Sequence, residues 1–86
     1  MTLETAEILA LQGLGWLAGE PEALERFLAL SGTDVAGLRQ AAGTPEMGVA
    51  VLDFLLGQEE LLLRFCDSAE IEPKDLHLAR HVLGGA

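Results

Sequence analysis

The stretch LGWLAGEPEALERF, residues 14–27, returns in altered form as LDFLLGQEELLLRF, residues 52–65. At a shift of 38 residues Leu14, Leu17, Gly19, Glu22, Leu24, Arg26 and Phe27 lie over Leu52, Leu55, Gly57, Glu60, Leu62, Arg64 and Phe65, and Trp16 lies over Phe54. Leu38/Leu76 and Ala41/Ala79 continue the match, giving nine identities between Leu14 and Ala41. Leu- and Ala-rich composition alone would supply roughly three, and the shift falls in the range of helical repeat units. The reading is an internal duplication with repeat units at about residues 4–43 and 44–84 inside one domain, residues 1–86. The competing reading is that two amphipathic helix-turn-helix stretches share a grammar of Leu, Gly and Glu.

Outward from this stretch, apolar positions recur at helical spacing and stop signals divide them into about six short helices. Helix one carries Leu3, Ala6, Ala10, Leu14 and Leu17 inward, and Gly19 with Pro21 ends it. Pro21 suits the first turn of helix two, where Glu22 and Arg26 form an i,i+4 pair and Ala23, Leu24, Phe27, Leu28 and Leu30 form the apolar stripe. Thr33 and Asp34 cap a short third helix through Ala42, with Val35, Leu38 and Ala41 facing inward and Gly43 closing it. Thr44-Pro45-Glu46 restarts the chain into helix four, which runs to about Leu56. Helix five turns Leu61, Leu62, Phe65, Cys66 and Ala69 inward, and helix six begins at Glu72-Pro73 and ends at Gly84-Gly85. No segment alternates with the period of a strand. The expected fold is all-α: six short helices in two pseudo-repeated three-helix units forming one bundle, with helices one and four most central.

Composition narrows the function classes. Of 86 residues, 50% are apolar and 22% charged, enough apolar surface to offset ordering entropy. Fourteen acids against five bases give a net charge of −9, so a nucleic-acid backbone or an anionic membrane is repelled while a basic protein surface is attracted. The single cysteine, Cys66, excludes an intrachain disulfide framework and fits a reducing cytoplasm. The acidic N-terminus does not read as a signal peptide, and no apolar run reaches the length of a bilayer span.

Few residues carry candidate chemistry. His77 and His81 stand i,i+4 on helix six, a spacing that presents two imidazoles to one metal with Cys66, Asp67 or Glu70 as completing ligands. The same wheel puts them with Lys74 and Arg80 on a polar face, and the reading is a solvated stripe with no metal. Asp53 is the one acid in the apolar run from Met47 to Leu56; with no base or nucleophile spaced to join it, it reads as a structural polar residue bonding a helix terminus or an arginine such as Arg26 or Arg64. Cys66 reads as a buried small hydrophobe and Trp16 as core. Asp67-Ser68 resembles the modified serine of acyl carrier proteins, but it lies near a helix end, so motif and context both fail. Asp34 to Leu52 has helix-turn-helix spacing, yet PEMGVAVLDF offers no side chain to contact bases or phosphates. No catalytic, cofactor or metal site is therefore assigned, and the chain reads as a non-enzyme.

The duplication turns mismatches into signals. Leu63 lies on the polar side of helix five where the first copy has Glu25, and Ile8 lies on the polar side of helix one where the second has Glu46. Ile8 and Leu63 are candidate members of a partner or self-association surface. The leading expectation is a protein-interaction or adaptor module. The alternative is a carrier of a small apolar ligand between the two units.

The run Leu52-Asp53-Phe54-Leu55-Leu56, the preceding Arg26-Phe27-Leu28-Ala29-Leu30-Ser31-Gly32 and the helical order around them resemble a family of short bacterial proteins known only as a domain of unknown function, marked by the DFLL segment Asp53-Phe54-Leu55-Leu56. The resemblance covers most of the chain. It implies a bacterial cytoplasmic protein and carries over no active site.

Overall fold

Local signals place the helix ends. The computed structural model describes residues 1–85, in which the helices are α1 (Leu3–Ala18), α2 (Pro21–Ser31), α3 (Val35–Ala41), α4 (Pro45–Leu56), α5 (Glu59–Ala69) and α6 (Pro73–Leu83). There is no strand among the described residues. Prolines open α2, α4 and α6, where a missing N–H costs nothing. Thr2, Asp34 and Thr44 cap α1, α3 and α4 by accepting from Thr5, Gly37 and Met47 backbone N–H groups at 3.1, 2.8 and 3.2 Å. At α6 the Asp75 carboxylate reaches back to the Glu72 N–H at 3.1 Å, as in a capping box.

Helix ends recur at the 38-residue shift. Ala18 and Leu56 end α1 and α4; α2 and α5 start and stop at equivalent residues; Val35 and Pro73 open α3 and α6. The turn after the second helix of each unit is also shared. Gly32 at φ 72° and Glu70 at φ 58° both adopt the left-handed conformation, and both stretches turn their next N–H groups onto one carbonyl, that of Leu28 or of Cys66.

Tertiary contacts repeat as well. Phe27 of α2 packs edge-on against Phe54 of α4 with ring centroids 5.3 Å apart, and Phe65 of α5 packs against Trp16 of α1 at 5.8 Å. These four residues are two equivalent pairs, so each unit's second helix rests on the other unit's first. The polar contacts follow suit: Arg26 donates to Gln58 Oε1 at 3.1 Å, and Arg64 pairs with Glu20, the residue equivalent to Gln58. The expected Glu22–Arg26 pair does not form, because the arginine reaches across to α5's N-cap instead.

The core lies where α1, α4 and α6 meet. Small residues let the axes approach: a methyl group on Gly48 would stand 3.0 Å from Leu83 Cδ1 and 3.2 Å from Ala10 Cβ, and one on Gly13 would stand 3.2 Å from both Val51 and Leu55 side chains. Leu17, Phe27, Val51, Leu52, Leu55, Phe65 and Leu76 close the interior. Helix α6 is thus as central as α1 and α4, contrary to the expectation that the latter two dominate, because its Leu76, Ala79 and Leu83 pack on both. Three residues expected inside lie outside. Leu3 sits on the first turn of α1, Leu30 on the last turn of α2 and Val35 on the first residue of α3, helix ends that neighbouring helices do not cover.

Candidate functional site

The sequence-derived candidates scatter rather than converge. His77 and His81 are exposed on α6, and Cys66 is buried on α5. No group of three or more His, Cys, Asp or Glu is placed to hold a metal ion among the described residues. Burial, and secondarily the charge of Asp75, pushes the Cys66 thiol pKa up, so the sulfur stays protonated and weakly nucleophilic. Trp16 is half-buried between Phe65 and the Arg64 guanidinium, whose carbon lies 5.4 Å from the ring centre. Ile8 and Leu63 are exposed to about half, at 48% and 52%, on α1 and α5.

Asp53 has a structural partner, but not Arg26 or Arg64. Its carboxylate accepts from Arg80 Nε at 2.6 Å, joining α4 to α6. Arg26 and Arg64 are already held at the N-termini of α5 and α2. Both members of the Asp53–Arg80 pair remain partly exposed, which limits its strength.

In the first unit the equivalents of Asp53 and Arg80 are Gly15 and Ala42, which cannot bond to each other. The consequence is spatial. Between α1 and α3 a groove of about 430 Å³ stays open, walled by Leu11, Leu14 and Gly15 on one side and by Val35, Leu38 and Arg39 on the other, with Leu24 of α2 between them. Leu14 and Leu24 are only half-buried here, while their equivalents Leu52 and Leu62 in the second unit are buried. A Cβ on Gly15 would meet nothing within 4 Å. Arg39 is the one Lys or Arg side chain among the described residues that has neither an ion-pair nor a side-chain hydrogen-bond partner; Arg26, Arg64, Lys74 and Arg80 are all engaged.

Sequence reasoning missed this groove, although half of its signal was visible in the Gly15/Asp53 mismatch. The other half, Ala42 against Arg80, lies beyond the end of the matching stretch, and a pair absent from one copy shows only when both mismatches are read together.

Three further spaces differ in character. Between α4 and α6 a recess of about 430 Å³ is walled by Pro45, Val49 and Leu83 but also by Glu46 and Arg80. A polar cleft of about 670 Å³ separates the N-termini of α2 and α5, lined by Arg26 and Arg64 but also by Glu20, Glu22, Glu59 and Glu60. Between the two units, where α1 faces α4, the apolar space near Ala10, Leu14, Met47 and Val51 amounts to about 20 Å³, room for about one water. The groove is therefore the most apolar recess of useful size. Among the described residues no helix is long and apolar enough to cross a membrane.

No curated protein and no solved structure matches the chain. The family described as "Protein of unknown function (DUF3572)" matches residues 3–86. By that match, which spans all six helices, the chain belongs to this family of unknown function.

Proposed function

We propose that the protein is a non-enzymatic interaction module of the bacterial cytoplasm that receives a protein partner in the α1–α3 groove, and that the DFLL segment marks its family because it builds the α4 core. The observation that carries this reading is the groove itself: leucines left half-exposed in one unit are covered in the other. Burying them on association is favourable at about 25 cal/mol per Å² before ordering costs. The alternative, a small apolar ligand held between the units, is poorly supported by a space of about 20 Å³. The acidic surface disfavours nucleic acid and anionic membrane as partners.

The test compares three tagged forms of the chain in cell extract: wild type, a Gly15→Asp/Ala42→Arg variant that rebuilds the second unit's bridge, and Leu63→Glu. A partner retained by wild type and Leu63→Glu but lost from the bridged variant supports the groove. One lost from Leu63→Glu alone moves the interface to the Ile8 and Leu63 faces. If all three forms retain the same proteins, neither surface is the binding site.

A further inference from the structure

We propose that the groove's occupant is an amphipathic helix of the partner that carries a carboxylate beside its apolar stripe, positioned to pair with Arg39. This rests on the interaction reading above. Three observations lead to it.

The first is charge. In a chain with fourteen acids and five bases, three bases form ion pairs within the molecule, Arg26 bonds the neutral Gln58 side chain, and Arg39, left with no side-chain partner among the described residues, lies in the wall of an apolar groove. The facing wall, contributed by α1, is Leu11, Leu14, Gly15 and Ala18, and supplies no counter-ion. A cation left beside an apolar surface that becomes buried on binding costs free energy unless the partner brings an anion. The protein's net charge of −9 opposes an acidic body, so the carboxylate is a local feature of the partner rather than its general character.

The second is shape. The groove opens to solvent along the surface, with helices as its two walls. A small ligand is ordinarily held in a recess that buries most of it. A helix supplies its own cover: apolar residues at i, i+3 or i+4 and i+7 enter the groove while its outer face stays in water.

The third is the contrast with the second unit, where Asp53 bonds Arg80 at 2.6 Å between α4 and α6, and the recess of about 430 Å³ that remains there is walled by Glu46 and Arg80 as well as by Val49 and Leu83. In the first unit no such bond forms, and Leu14 and Leu24 stay half-exposed where Leu52 and Leu62 are buried. A Cβ added at Gly15 would face open space, with nothing within 4 Å.

The experiment uses two short synthetic helical peptides with an identical leucine stripe, one with Glu and one with Lys beside it, each titrated into isotope-labelled full-length protein and followed by amide NMR. The Glu peptide is expected to shift Leu11, Gly15, Leu24 and Val35 and to bind about fivefold more tightly than the Lys peptide, the discrimination one solvent-accessible ion pair supplies. Arg39→Gln should erase that preference while retaining binding, and Gly15→Asp/Ala42→Arg should remove the shifts; circular dichroism confirms that both variants keep their helices. Equal binding of the two peptides, or a preference that survives Arg39→Gln, overturns the carboxylate assignment and leaves the groove as an interaction site. No groove shift with either peptide overturns both, as does a set of groove shifts that appears only with dodecanoate or only on raising the protein's own concentration.

Discussion

The first unit, α1–α3, and the second, α4–α6, share helix boundaries, a left-handed turn, an aromatic contact and an arginine contact, and differ in how their third helix ends. Helix α3 stops at Ala41, and α6 runs one turn past the equivalent residue, Ala79, to Leu83. That turn provides Arg80, which bonds Asp53, and Leu83, which packs at Gly48. It also makes α6 a member of the core, while α3 touches α4 only lightly and stands off from α1. One extra helical turn therefore separates a unit in which Leu52 and Leu62 are buried from one that leaves Leu14 and Leu24 in contact with water. The core holds despite this because Phe27, Phe65 and the α1–α4–α6 crossing are supplied by the other helices, α3 adding Leu38.

The difference is breakable at equivalent leucines. Leu52 is fully buried, and Leu52→Ala should destabilise the protein by about 3 kcal/mol, whereas half-exposed Leu14→Ala should cost about 1 kcal/mol. Chemical denaturation of the two variants measures both; equal losses would mean that the groove is closed in solution. Glycines of α1 give the next effect. Gly13→Ala crowds Val51 and Leu55 and should cost about 1 to 2 kcal/mol, while Gly15→Ala, which enters open space in a helix interior, should stabilise by about 1 kcal/mol. Melting temperatures moving in opposite directions for two changes one residue pair apart would confirm that α1 is packed on one side and bare on the other.

Most of the helices were legible in the sequence because their signals are local. Pro21, Pro45 and Pro73 open helices, Thr44 and Asp34 cap them, and Gly19, Gly32 and Gly57 follow their ends. Choice of partner was not legible. Arg26 could be assigned to Glu22 by spacing, but its actual acceptor, Gln58, comes from a helix 32 residues away in the chain. Asp53 carries the same lesson: the sequence offers it arginines such as Arg26 or Arg64, and its carboxylate accepts from Arg80 of α6 instead. The apolar stripe of α2 was drawn one residue too long at Leu30, since periodicity says which face is apolar and not where the neighbouring helix stops covering it. The groove was the least legible feature, being a property of the distance between α1 and α3.

The left-handed turn offers a finer comparison. Gly32 accepts φ 72° freely, but Glu70 at φ 58° places a Cβ near its own carbonyl, a conformation that costs an L-residue roughly 1 kcal/mol or more. Glu70→Gly should therefore raise stability by up to about 1 kcal/mol, and Gly32→Glu should lower it by a similar amount. The two changes exchange the residues of equivalent turns. If Glu70→Gly destabilises instead, the Glu70 side chain makes a contact worth more than the backbone strain.

The smallest effect expected concerns the bridge that distinguishes the units. Asp53 and Arg80 are close at 2.6 Å, but their side chains retain 55% and 36% of their exposure, so solvent screens the pair. Asp53→Asn should lower stability by about 0.5 kcal/mol, within the range of exposed ion pairs, and the loss should shrink as salt is added. The informative measurement is the double-mutant cycle with Arg80→Gln, because Arg80 also lies at the end of α6 and its removal alone mixes the pair with the helix dipole. A coupling near zero would mean that α6 is held on α4 by Leu76, Ala79 and Leu83 alone. The open groove of the first unit would then follow from the missing turn of α3, and Gly15 and Ala42 would be its consequence rather than its cause.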